Sequence, residues 1–125
     1  MFYKTFYTNK FIPKNSAGCA YFCFIFIRPE YKDDFGLYYH ELTHVEQFYK
    51  LPFLHGLLYR FNKKYRLKSE VEAYKKQLKY YDVSNIDLFA NYIANDYNLD
   101  ITIDEAKKLL MSWNQFAPRS QMGDW

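Results

Sequence analysis

His40 and His44 stand four residues apart, with Glu41 directly after the first. On a helix, positions four apart lie on one face, so the two imidazoles converge on a common point. Glu41 sits about 100° round the helix from His40, within reach of a water bound at that point. Two neutral imidazoles and an adjacent carboxylate are what one helix contributes to a catalytic zinc site: two ligands and a general base. Such sites take three protein ligands, so the chemistry asks for one more donor elsewhere in the chain.

The candidates are His55, Glu46, Glu70, Glu72 and the aspartates. Glu46, two residues after His44, points roughly to the opposite side of the helix and is excluded. Glu72 is flanked by the directions of Lys75, Lys76 and Lys79 and completes a capping box with Ser69, so it belongs to the solvated side. Glu70 lines up with Ala73, Tyr74 and Gln77, on the edge of a stripe that must face the core. A carboxylate there needs a partner, because burying it unpaired is expensive. A metal supplies that partner, and Glu70 is the expected third ligand. Gln47 shares the face of His40 and His44, where it either hydrogen-bonds a ligand or the substrate, or caps a polar pocket. His55 reads first as a surface or packing residue. Its functional alternative is to donate a proton or steady an oxyanion, a role for which Tyr38, Tyr39, Tyr59, Tyr65 and Tyr74 compete.

The elements that must position these groups follow from pattern. Residues 2–12 mix aromatics with Lys, Thr and Asn and form a strand or an extended arm. Residues 13–18 carry turn residues. Residues 20–27 are β-branched and aromatic on both faces and read as one buried strand. Asp33 or Asp34 caps the helix that carries the histidines, which stops before Pro52. Residues 53–62 look like a short helix with Phe53, Leu54, Leu57, Leu58 and Phe61 on one side. Residues 62–68 read as a basic connection, and Ser69 opens a helix with the stripe Val71, Tyr74, Leu78 and Tyr81. Ser84 with Asp87 starts a further helical segment with Ile86, Phe89, Ala90 and Ile93 inward. Thr102 with Glu105 is a second capping box, opening a helix through Trp113. Residues 118–125 form a loose tail, with Trp125 free to dock. Strands first and helices after give an α+β fold: a short N-terminal sheet packed on the histidine helix, then a mainly helical half, all in one domain over 1–125.

The totals bound the rest. The 125 residues are half hydrophobic and 22% aromatic, which is too apolar for a disordered chain. A formal charge of +3 does not argue for a nucleic-acid partner. Arg60, Lys63, Lys64, Arg66 and Lys68 cluster around Tyr65, and such clusters are mostly solvated surface. Cys19 and Cys23 lack metal-ligand spacing and read as buried free thiols. The longest apolar run, residues 19–27, is too short to span a bilayer, and no signal peptide is visible. The expectation is a cytoplasmic protein, of a cell or of a virus in its host, with neither membrane nor nucleic acid as partner.

The segment His40 to Gln47 and the later Glu70-Val71-Glu72-Ala73-Tyr74 resemble the gluzincin metallopeptidases, in which a ligand glutamate on a later helix follows an HExxH helix. They are similar, more closely, to small bacterial and phage-type proteins with an HE-L-x-H-V-x-Q helix and a downstream E-x-E-A-Y. The likeness covers residues 20–78. It implies one zinc ion per chain on His40, His44 and Glu70, Glu41 as general base, and a peptide or protein substrate. Two features depart from it. Many gluzincins have an Asp at the position of Tyr74 that orients a ligand histidine, which leaves that role open here. The 25 residues between His44 and Glu70 leave no room for a full second domain. The competing expectation is a non-catalytic zinc-stabilised module, a virion or regulatory component, whose zinc would have a fourth protein ligand or be sealed from water.

Overall fold

Residues 20–27, expected as one strand, contain a chain reversal. The computed structural model describes residues 1–112, so the expected tail, Trp113 and Trp125 lie outside the described residues. Strands β2 (Gly18–Tyr21) and β3 (Phe24–Ile27) form an antiparallel hairpin, Gly18 opposite Ile27 and Tyr21 opposite Phe24. The loop is Phe22-Cys23, with Phe22 at φ 56°. Two-residue hairpin loops usually carry Gly, Asn or Asp at such positions, and this one does not. β1 (Lys4–Tyr7) pairs with β3 in parallel, giving the order β1-β3-β2. Central β3 is buried on one face only. Ile25 and Ile27 pack with Leu37 and Val45 of the next helix. Phe26 lies on the other face, where the Phe6 ring stacks on it at 5.3 Å. Cys19 and Cys23 are free thiols, half-buried rather than buried.

Helix α1 (Phe35–Lys50) starts at Asp34, whose Oδ1 accepts the Leu37 N–H at 3.0 Å. It is buried on two sides. Leu37 and Val45 meet the sheet, while Gly36, His40 and Gln47 meet α3 (Lys63–Leu78). Helix α3 begins about two turns earlier than expected. Asn62 is its cap, accepting from Tyr65 N–H at 3.0 Å, so residues 63–68 are helix and not a connection. Ser69 therefore caps nothing and Glu72 closes no capping box; both turn toward Gln47 of α1.

The short helix α2 (His55–Phe61) inverts its expected orientation. Phe53, Leu54, Leu57 and Phe61 are exposed, Phe53 to 91%. The inward side carries His55, Leu58 and Tyr59, all half-buried. Arg66, counted with the basic surface cluster, is buried instead. Its guanidinium donates to the carbonyls of Tyr59, Arg60, Tyr97 and Asn98 at 2.7–3.1 Å. It thereby ties the end of α2 to the segment following α4 (Ile86–Asp96). Charge-assisted bonds to otherwise unpaired carbonyls are the use burial leaves to an arginine.

The second core lies between α3, α4 and α5 (Ile103–Met111), and holds Val71, Tyr74, Phe89, Ala90 and Ile93 as the periodicity implies, with Leu78, Tyr81 and Ile86 packed against it. The Thr102–Glu105 capping box is present in both directions. With one three-stranded sheet and five α-helices among the described residues, the fold is α+β. No described helix is long and apolar enough to cross a membrane.

Candidate metal centre

Where α1 crosses α3, three groups meet. One ligating atom each from His40, His44 and Glu70 lie within 4.8 Å of one another. His40 Nε2 is 3.4 Å from Glu70 Oε1, and His44 Nε2 is 3.3 Å from Glu70 Oε2. Zinc bonds of about 2.1 Å in a tetrahedron set ligand atoms about 3.4 Å apart, close to the two contacts that the histidines make to the two oxygens of Glu70. Glu70 Oε1 is buried with no hydrogen-bond partner among the described residues. An orphaned carboxylate oxygen between two imidazoles is costly unless a cation completes it. The donor set of two nitrogens and a carboxylate suits zinc.

Each histidine is held by a glutamine. Gln47 Nε2 donates to the Ser69 carbonyl at 3.1 Å and to Glu72 Oε1 at 2.9 Å. Both partners only accept, which fixes the amide so that Oε1 faces His44 Nδ1 at 2.9 Å. The Ser69 hydroxyl donates to the same Oε1 at 2.6 Å. His44 Nδ1 must then carry a proton, so Nε2 faces the centre of the trio and offers its lone pair there whenever the ring is neutral. Gln77 does the same for His40, its Oε1 accepting from Nδ1 at 2.9 Å while its Nε2 donates to Tyr81 Oη at 3.3 Å. The Tyr81 hydroxyl donates in turn to Asp34 Oδ1, the cap of α1. Gln77 thus orients a histidine, the role left open by Tyr74. Its place seven residues after Glu70, on the same face, was the available signal.

Glu41 is buried beside the trio, and burial pushes its carboxyl above the ordinary range despite the neighbouring histidines. Gly18 of β2 borders it: a Cβ there would lie 3.7 Å from Glu41 Oε2 and 2.9 Å from the Phe26 carbonyl oxygen. Burial alone would lower the His44 imidazole, but the Glu70 carboxylate raises it to about 9. The two histidines in return hold Glu70 below the ordinary carboxylate range against the effect of its own burial.

Of the other sequence candidates, Tyr59 and Tyr74 touch the trio, while Tyr38, Tyr39 and Glu46 lie against other partners. Tyr59 donates its hydroxyl proton to Glu70 Oε2, and burial together with Glu70 keeps that phenol protonated. Tyr74 lays its ring against His40, centroids 4.4 Å apart, and its hydroxyl pairs with that of Tyr97 at 2.8 Å. His55 Nδ1 is 2.7 Å from the Tyr65 hydroxyl, and burial followed by the nearby His44 lowers its pKa. Tyr38 pairs with the Tyr3 hydroxyl at 2.9 Å, and Tyr39 stacks on Tyr80. Glu46 turns away from the trio and meets Lys76 at 3.4 Å. Glu72, read as solvated, is instead the acceptor that fixes Gln47. No known protein family, curated protein or solved structure matches the chain.

Proposed function

We propose that the protein is a zinc-dependent hydrolase acting on peptide bonds. The observation that carries this reading is the buried Glu70 carboxylate, with Oε1 unpartnered, set between two histidines whose Nδ1 protons are already committed to glutamines. His40, His44 and Glu70 would hold the ion. When bound, zinc supplies a Lewis acid that polarises a carbonyl and lowers the pKa of water toward neutrality. Glu41, desolvated and so more basic than an exposed carboxylate, receives the proton of the attacking water and passes it to the leaving amine. Tyr59 and the two glutamines keep the ligating groups oriented. β2 is the sheet edge beside Glu41, where an extended peptide could add as a further strand.

Burial supports a second reading. The side chains of His40 and Glu70 are only 6% and 2% exposed, which also suits a zinc that merely joins α1 to α3. A single pair of measurements separates the two. Purified protein should carry about one zinc per chain and cleave members of a peptide library. Glu41→Gln should keep the zinc and reduce cleavage by roughly 10²-fold or more, and Glu70→Ala should lose the zinc. Zinc-loaded protein that is stabilised by the metal yet cuts nothing in the library would assign the centre a structural role.

A further inference from the structure

Among the described residues, the apolar side of α2 is a surface that neither core absorbs. Phe53, Leu54, Leu57 and Phe61 lie on one side of the helix and its approach, and all four are more than half exposed. The same end of the molecule receives the hairpin loop. Phe22, 68% exposed, packs its ring edge-on against Phe48 near the end of α1, just before the chain leaves for Phe53. Exposed aromatic and leucine side chains gathered at one end need an apolar medium to meet.

The charge around them says which medium. Between Glu46 and Glu70 the chain has six basic residues and no acidic one, whereas everywhere else it has 11 basic and 14 acidic. Of these six, Arg66 is the buried clamp and Lys63 pairs with Asp100. Lys50, Arg60, Lys64 and Lys68 remain as exposed cations. Lys50 precedes the apolar segment, Lys64 follows it, and the Arg60 guanidinium lies 5.5 Å from the Phe61 ring centroid. Projecting phenylalanine and leucine bordered by lysine and arginine are the two signals a peripheral helix uses on an anionic bilayer: apolar insertion and headgroup attraction.

We infer that α2 with its approach, from Leu51 to Phe61, is a docking surface for an anionic lipid membrane. The expectation of no membrane partner rests on the lack of a spanning segment, and surface attachment needs none. The opposite side of α2 carries Tyr59, bonded to Glu70, so docking places the metal-ligand trio close to the lipid surface. The inference stands whether or not the centre is catalytic.

Co-sedimentation with vesicles tests it. The full chain should pellet with vesicles of phosphatidylglycerol and phosphatidylcholine in equal parts, stay in solution with phosphatidylcholine alone, and be released by high salt. Phe53→Ser with Leu57→Ser, and separately Arg60→Glu with Lys64→Glu, should lower the bound fraction roughly tenfold or more at unchanged Tm. Wild-type protein that ignores the anionic vesicles overturns the inference, as does a serine variant that binds them equally well. If the protein sediments as a dimer, ignores lipid, and becomes monomeric with Phe53→Ser, the face belongs to a second copy and the inference fails. It fails equally if the serine variant loses several degrees of Tm beside a wild type indifferent to lipid, which marks a face covered by the chain itself.

Discussion

At the scale of residues, the centre is defined by which nitrogen of each histidine is spoken for. Gln47 is locked by two acceptors and Gln77 is tied through Tyr81 to Asp34, so both imidazoles turn Nε2 toward Glu70. Such outer partners are typically worth 10–100-fold in metal affinity. Gln47→Leu and Gln77→Leu should therefore each weaken zinc binding by about that factor in a competition titration. Gln77→Glu, which keeps the acceptor, should retain affinity at or above the native value. If both leucine variants bind zinc like the native chain, the histidines do not depend on their glutamines. That Glu70 would lie buried beside the two histidines was legible in the sequence because burial has a direction: an acidic residue on a core-facing edge demands a partner, and Glu70 was the one so placed. Its supports were not. Ser69 and Glu72 match a capping box by residue type and spacing, and only the position of the crossing α1 helix turns them into partners of Gln47 instead.

At the scale of elements, the crossing of α1 and α3 is set by the lack of a side chain at Gly36. A Cβ there would lie 2.7 Å from Tyr81 Cε1 and 3.2 Å from Gln77 Cγ. In an exposed helix interior, Gly→Ala stabilises by about 1 kcal/mol. Here it must displace the Tyr81 ring or the Gln77 side chain, and so disturb the Asp34–Tyr81–Gln77–His40 chain. Gly36→Ala should thus lower the Tm and weaken zinc affinity together; a Tm rise would show that α3 yields at no cost. Sequence patterns located the helices because their periodicity is a property of one segment, and they placed the second core correctly at Phe89, Ala90 and Ile93. They failed where the environment decides. The Phe22-Cys23 reversal lacks any of the usual turn residues, and β3 takes its single buried face from α1. The stripe of α2 is apolar by composition, yet the Arg66 clamp and the pull of His55 and Tyr59 toward α3 turn it to solvent.

At the scale of the whole molecule, the centre makes stability depend on pH in opposite senses with and without metal. In the metal-free chain His44 titrates at about 9, above its ordinary 6.5, because Glu70 holds its proton. A raised histidine contributes stability that is complete below its unfolded value and is lost as pH climbs toward the folded one. Glu41, also raised, acts in the same direction, since its charged form is penalised by burial. Glu70 is lowered, and its contribution is present above its ordinary 4.5 and lost only in acid. The metal-free protein should accordingly be most stable at about pH 4.5, lose stability above it through Glu41, and weaken further through His44 from about pH 6.5 toward about pH 9. Zinc reverses the slope. It requires neutral imidazole, so protons compete for the ligands and the stabilisation by binding grows as pH rises. Thermal unfolding of chelator-treated and zinc-loaded protein at about pH 6 and about pH 8.5 measures both arms. The metal-free Tm should fall between the two conditions while the increment added by zinc increases. A metal-free Tm that holds or rises at the higher pH would mean that the His44–Glu70 pair does not exist in solution as an ion pair.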